Sequence, residues 1–213
     1  MGLAPTDSVL EGNAIQNFEQ FTADHRDNAP MMSLIDSFQM HLFARLAEYE
    51  KGAAMFASRG FDFPKANPAH PGFMDAVCSG GICAFAMTRR RKSKYRKCAL
   101  KARSLVKTWL KKGNPNVKHF DALFDAEAAA LQGKQKKAED FYRSAIAVAS
   151  RGGYTHDSAL ANERYGDYLL TVLCDREEAR YYLSAAAKLY MEWGAVAKVD
   201  RMQAQYSEFD LLS

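Results

Sequence analysis

The sequence predicts an all-α protein, a stack of antiparallel helical hairpins resembling a TPR-like α-solenoid. Three observations predict it. Apolar residues recur at steps of three and four, as in Ala138, Phe141, Tyr142, Ala145 and Ala149, and again in Ala179, Tyr182, Leu183, Ala186, Tyr190 and Trp193; that is the period of an amphipathic helix. No segment alternates apolar and polar residues over the length of a strand. The breaks between periodic segments are short, so successive helices must pack antiparallel.

Taken in order, the predicted helices are 8–25, 31–46, 49–59, 72–88, 92–112, 117–132, 134–151, 156–173, 176–193 and 195–206. The first rests on a weak pattern in an otherwise poorly organised segment, 1–30. Gly60, with Pro64, Pro68 and Pro71, ends the third helix and forms the longest proline-bearing connection. Helix 72–88 holds Ser79-Gly80-Gly81, small residues that let another helix cross closely. Gly113-Asn114-Pro115-Asn116 is a helix stop followed by a new cap, Gly133 parts two helices tightly, and Gly152-Gly153 ends the next. Thr155 to Asp157 offers capping side chains to helix 156–173, and helix 195–206 is placed to cap the stack. Residues 31–113 thus read as loosely TPR-like hairpins, and 114–213 as two long hairpins with a capping helix.

An internal repeat supports this division. A shift of 41 residues lays Ala138, Phe141, Tyr142, Ala145 and Gly153 on Ala179, Tyr182, Leu183, Ala186 and Gly194. The spacing A-x3-[YL]-x2-A in a second helix is that of tetratricopeptide units, where a small residue admits the paired helix and a large one fills the next gap. Cys174 stands where the first unit has its turn glycine.

Composition narrows the class. The chain has 213 residues, 48% hydrophobic and 25% charged, enough for a core without disulfides or metal. The N-terminal sequence lacks a basic region followed by an apolar run, so no signal peptide is expected. Gly2 and Thr6 fit the short myristoylation pattern M-G-x-x-x-[ST], a motif common by chance. The most apolar stretch, Phe73 to Met87, is interrupted and too short to span a bilayer. Cys78, Cys83, Cys98 and Cys174 form no C-x-x-C; they read as reduced, buried thiols of a cytoplasmic protein.

The segment from Asn114 to Tyr206 resembles a known one. Asn116-x2-His119, Ala126-Glu127, Leu131-Gln132-Gly133, Ala159-Leu160-Ala161-Asn162-Glu163, Tyr168-Leu169, Trp193-Gly194-Ala195 and Ala197-Lys198 look like the C-terminal helical region of large multidomain signalling ATPases. In those proteins a serine/threonine-kinase-like module and a predicted ATPase precede a TPR-like array, and GAF and histidine-kinase domains often follow it. The resemblance implies a helical scaffold. It implies no catalysis here, because the kinase, GAF and histidine-kinase parts are absent from this sequence and no G-x-x-x-x-G-K-[ST] occurs in it.

Candidate sites were weighed against structural roles. Arg89, Arg90, Arg91 and Lys92 open a basic run to Lys97 that carries seven positive charges; the chain is net +4, so the remainder is −3. Such a run suits a partner contact or a solvated turn, and its single Tyr95 argues against nucleic-acid bases as the target. Helix 156–173 is expected to bury Ala161, Tyr165, Leu169 and Val172, which leaves Asn162 beside that stripe on the edge that TPR arrays use to hold extended peptides. Asn162 and Tyr165 are therefore the partner-contact candidates there, with a hydrogen bond inside the hairpin as the structural role for Asn162. His119 reads as a packing or hydrogen-bonding residue at a helix start; Asp121 and Asp125 beside it suggest no metal site without a second histidine near in sequence. His156 stands alone. No catalytic residue, cofactor or metal is expected, and the expected function is a protein-interaction scaffold or regulatory module; the alternative is a nucleic-acid or acidic-surface binder acting through the basic run 89–97, with an enzyme less expected than either.

Overall fold

A computed structural model of the chain describes residues 17–59 and 72–212. All regular structure among these residues is helical: α1 (Phe18–Asp24), α2 (Ala29–Arg45), α3 (Tyr49–Arg59), α4 (Gly72–Arg89), α5 (Arg96–Lys111), α6 (Lys118–Leu131), α7 (Gln135–Arg151), α8 (Thr155–Tyr168), α9 (Arg176–Glu192) and α10 (Val196–Gln205). Short 3-10 turns, Ser93–Tyr95 and Pro115–Val117, lead into α5 and α6, and a π-helical turn, Leu169–Leu173, prolongs α8. From residue 31 onward, the predicted helices agree with these to within a few residues. The start of predicted helix 8–25 and the proline-bearing connection, residues 60–71, lie outside the described residues.

The helix stops follow from backbone stereochemistry. Gly113, Gly133, Gly153 and Gly194 all have positive φ, the left-handed conformation that ends a helix and that glycine adopts at least cost. Cys174, expected in the place of a turn glycine, does have φ 56°. At this turn, Gly133 and Cys174 share a left-handed backbone. One capping expectation fails: Tyr154 precedes α8, and no side chain caps its first turn. The Asp157 carboxylate is engaged across the helix interface instead, as described below.

Two further corrections concern exposure. Val172 was assigned to the buried stripe of helix 156–173, yet it is 45% exposed. The π-helical turn inserts one residue into the hydrogen-bond ladder, and this rotates the stripe away from the core after Leu169. Cys78 and Cys83 are buried, but Cys98 is only partly so and Cys174 is exposed, because a residue at a left-handed turn projects from the end of the hairpin.

The described residues divide into two units, one up to Ala102 and one from Arg103, the division falling within α5. In the first unit α4 packs against α2 and α3 and is buried continuously from Ala76 to Met87. Its small residues permit this: the Gly80 backbone lies under Phe56 of α3, and Gly52 of α3 lies under Cys83. In the second unit α6 packs on α7, α7 on α8, α8 on α9, and α9 on α10. Ala159, Leu183, Ala186, Ala187 and Tyr190 form its core with Val199, Met202, Tyr206, Phe209 and Leu211, so the segment after α10 closes over that end. Among the described residues no helix is long and apolar enough to cross a membrane.

The close crossing of α3 and α4 predicts a contrast. A Cβ on Gly80 would lie 2.4 Å from the buried Phe56 ring, so Gly80→Ala should lower stability by about 1–3 kcal/mol through overpacking. Gly113 has open space around it but φ 90°, so Gly113→Ala should cost about 1–2 kcal/mol through backbone strain alone. Urea unfolding midpoints measure both. A Gly80→Ala protein as stable as the parent would disprove the close crossing.

Candidate functional site

Three places hold the residues that sequence reasoning singled out: the interior around α8, a cluster at the start of α6 and α8, and the turn between α4 and α5. Helix α8 is buried at every position from Asp157 to Tyr168, including Asp157, Ser158, Asn162, Glu163, Arg164 and Asp167. Burying so many polar groups is tolerated only if they are paired. Arg164 donates through Nε to Glu127 Oε1 of α6 at 2.8 Å, and its Nη1 lies 3.4 Å from Asp167 Oδ2. Glu163 accepts from Lys198 Nζ of α10 at 2.6 Å and from the Tyr190 hydroxyl of α9 at 3.0 Å. Asp157 accepts from His119 Nε2 of α6 at 2.9 Å.

Asn162 and Tyr165 belong to this interior. Asn162 is buried, and its Nδ2 donates to the Ser158 carbonyl at 2.8 Å within the same helix. Tyr165 is fully buried, stacked on Tyr142 at 5.1 Å between ring centroids and tilted against Tyr182 at 4.4 Å. Its hydroxyl accepts from Arg143 Nη1 at 3.1 Å. Burial pushes the Tyr165 phenol well above its ordinary range, with Arg143 opposing the shift, and burial raises Tyr182 in the same direction. Tyr165 is thus buried with the stripe, as its spacing predicts, and the edge on which Asn162 was expected to receive a peptide is covered as well.

Two histidines that looked solitary in the sequence meet at one carboxylate. His119 binds Asp157 Oδ2, and His156 Nε2 lies 3.5 Å from the same oxygen. His119 stacks on Tyr154, whose hydroxyl donates to Asn116 Oδ1 at 3.1 Å, and His156 stacks on Trp193. This cluster joins the starts of α6 and α8 to the end of α9. Asp121 and Asp125, the carboxylates nearest His119 in sequence, are instead engaged by α5: Arg103 reaches Asp125 at 2.6 Å, and Lys107 reaches Asp121 at 2.9 Å and Asp125 at 2.8 Å. Burial lowers the Lys107 ammonium, but these two carboxylates outweigh it and hold the group above its ordinary value.

The turn between α4 and α5 is different in kind. Arg89 is half-buried at the end of α4, whereas Arg90, Arg91, Lys92, Lys94, Arg96 and Lys97 are exposed. Arg90 lies over the Tyr49 ring and Lys94 over the Tyr95 ring; both tyrosines are buried, at 3% and 4% exposure. Among the described residues none of these six cations has a carboxylate partner, and the first turn of α5 contains no acidic residue. Two features of this placement are unfavourable for folding. Arg91 has φ 65°, a conformation costing a non-glycine residue about 1–2 kcal/mol, though Ala47 and Cys174 adopt it too. Arg96 and Lys97 stand at a helix N-terminus, where the macrodipole opposes positive charge.

A wider sequence signal marks the same region. Between Asp75 and Asp121 there are thirteen Lys and Arg residues and no Asp or Glu, so with a net charge of +4 the other residues sum to −9. No family model, curated protein or solved structure matches the chain.

Two predictions follow from the α8 interior. Glu127→Ala leaves buried Arg164 with its longer contact to Asp167 and should cost about 3–5 kcal/mol, whereas Glu127→Met with Arg164→Met and Asp167→Asn, which leaves none of the three charged, should recover most of that loss. Chemical denaturation of the single and triple variants measures this, and an additive triple variant would sink it. The raised phenols favour the folded state fully below pH 10, and that contribution is lost as pH climbs through their folded values. Unfolding midpoints should fall above pH 10, less steeply in Tyr165→Phe; an equal slope in the variant would refute the assignment.

Proposed function

We propose that this chain is a non-catalytic interaction scaffold, a TPR-like stack of helical hairpins of the kind found in signalling ATPases, which takes an anionic partner at the basic turn between α4 and α5. The observation that carries the reading is the group of six exposed cations without carboxylate partners among the described residues. Unsatisfied charge of one sign raises the local concentration of oppositely charged partners and speeds their encounter. A turn anchored by buried Tyr49 and Tyr95 presents those charges with little ordering cost on binding.

The helical interior supports the scaffold part. Of the residues that carry the resemblance, Glu127, Glu163 and Lys198 make the buried ion pairs, and His119 makes the buried bond to Asp157. The paired residues are 37, 35 and 38 positions apart, so each pair joins the first helix of one hairpin to the first helix of the next. That is the spacing expected of nearest-neighbour contacts in a repeat array.

The test is cross-linking capture with the tagged chain from its own cells, comparing the native protein with Lys92→Glu/Lys94→Glu/Lys97→Glu. Reversing three charges is expected to reduce recovery of the specific partners at least about tenfold. Equal recovery by both proteins would show that the turn is not the binding face.

A further inference from the structure

We propose that the basic turn binds the phosphate backbone of double-stranded nucleic acid without reading its sequence. The proposal rests on the turn being the chain's binding face, and it identifies the partner by elimination among three anionic classes. An acidic protein partner needs apolar or aromatic anchors at the centre of the contact. At this turn both aromatic side chains, Tyr49 and Tyr95, are buried beneath Arg90 and Lys94. The exposed large apolar residue nearest in sequence is Leu100, beyond the first turn of α5. Anionic membrane is held durably by a basic patch only when an acyl chain or inserted apolar group adds a second attachment; the described part of the turn offers no such group, and the Gly2–Thr6 acylation pattern elsewhere in the chain is short and common by chance. Single-stranded nucleic acid needs exposed rings on which bases stack, and these rings are covered.

A duplex has no such requirement. Its phosphates are bound by cations and backbone N–H groups alone, and release of condensed counterions supplies the affinity. Arg90, Arg91 and Arg96 bring planar guanidinium forks suited to phosphate oxygens. Lys92, Lys94 and Lys97 add point charges around the start of α5. There Lys92 gives no side-chain cap to the 3-10 turn, and no carboxylate occupies the first helical turn. The helix start therefore adds its positive dipole end to the cations instead of opposing a partner's charge. Arg91 occupies a left-handed position that glycine would fill with less strain, so its cation can be removed there without cost to the backbone.

The full chain is titrated by fluorescence anisotropy against labelled duplex RNA and duplex DNA of unrelated sequences, over a salt series. Parallel arms use a single strand, phosphatidylserine vesicles and a polyglutamate peptide. All duplexes should bind alike, with log Kobs against log salt falling with a slope of up to about −5 for as many as six contacts. Lys92→Gln/Lys94→Gln/Lys97→Gln should flatten that slope by about 2.7. Arg91→Gly should weaken duplex binding while leaving the protein as stable as the parent or more so, which separates lost contact from lost fold. Duplex binding that is absent, or has the same slope in the triple variant, overturns the proposal. If the vesicles or the peptide bind through the turn and duplexes do not, the turn survives as a binding face and the nucleic-acid assignment falls. If the triple variant matches the parent in every arm, both fall.

Discussion

The burial of α8 is the constraint on which the second unit depends. A helix covered on all sides and carrying Asp157, Glu163, Arg164 and Asp167 is stable only while neighbouring helices hold the matching charges, since one unpaired buried ion costs several kcal/mol. Glu127 and His119 on α6, Tyr190 on α9 and Lys198 on α10 supply the partners. Apolar packing alone would let helices slide by small amounts at little cost. Ion pairs at 2.6–2.9 Å do not, so the pairs set the register of α6, α8 and α10 more tightly than core contacts would.

The first unit meets the same demand for a central helix by the opposite chemistry. Helix α4 is buried from Ala76 to Met87 with apolar and small side chains, and the absence of a Cβ at Gly80 lets Phe56 approach its backbone. What it lacks in charge inside appears at its end. Of the six exposed cations from Arg90 to Lys97, Arg90 and Lys94 lie over two buried tyrosines, and none of the six has a carboxylate partner among the described residues. A rigid base beneath an uncompensated charge cluster is an arrangement whose stability is improved by an anion, and this links the packing of the first unit to the proposed binding.

Much of the fold was legible because it depends on local rules. Helical periodicity placed the helices, and glycine at left-handed turns placed their ends. Even the equivalence of Cys174 with Gly133 was visible from the repeat and appears in the backbone as φ 56° against 68°. The site was less legible. Burial of Tyr165 follows from the apolar stripe, but Asn162 beside it reads as a receiving edge only if α8 has one buried face, and α8 has none exposed. Partners from separate helices decide that, and no pattern within α8 encodes it. The meeting of His119 and His156 at Asp157 was hidden for the same reason: Asp157 follows His156 directly, but His119 is 38 residues away from it. The long acid-free segment between Asp75 and Asp121, by contrast, is plain in the order of residues and reaches beyond the basic run 89–97 on both sides.

By itself the sequence determined the helical class, the hairpin boundaries, the repeat offset and the position of the basic run, because each follows from spacing, turn stereochemistry or charge along the chain. Only the tertiary structure decided which helix is enclosed, which carboxylate answers which cation, and which charges are left over. Those depend on side chains converging from segments 35 to 38 residues apart and on π-helical rotation after Tyr168, which are matters of distance in space that no local pattern specifies.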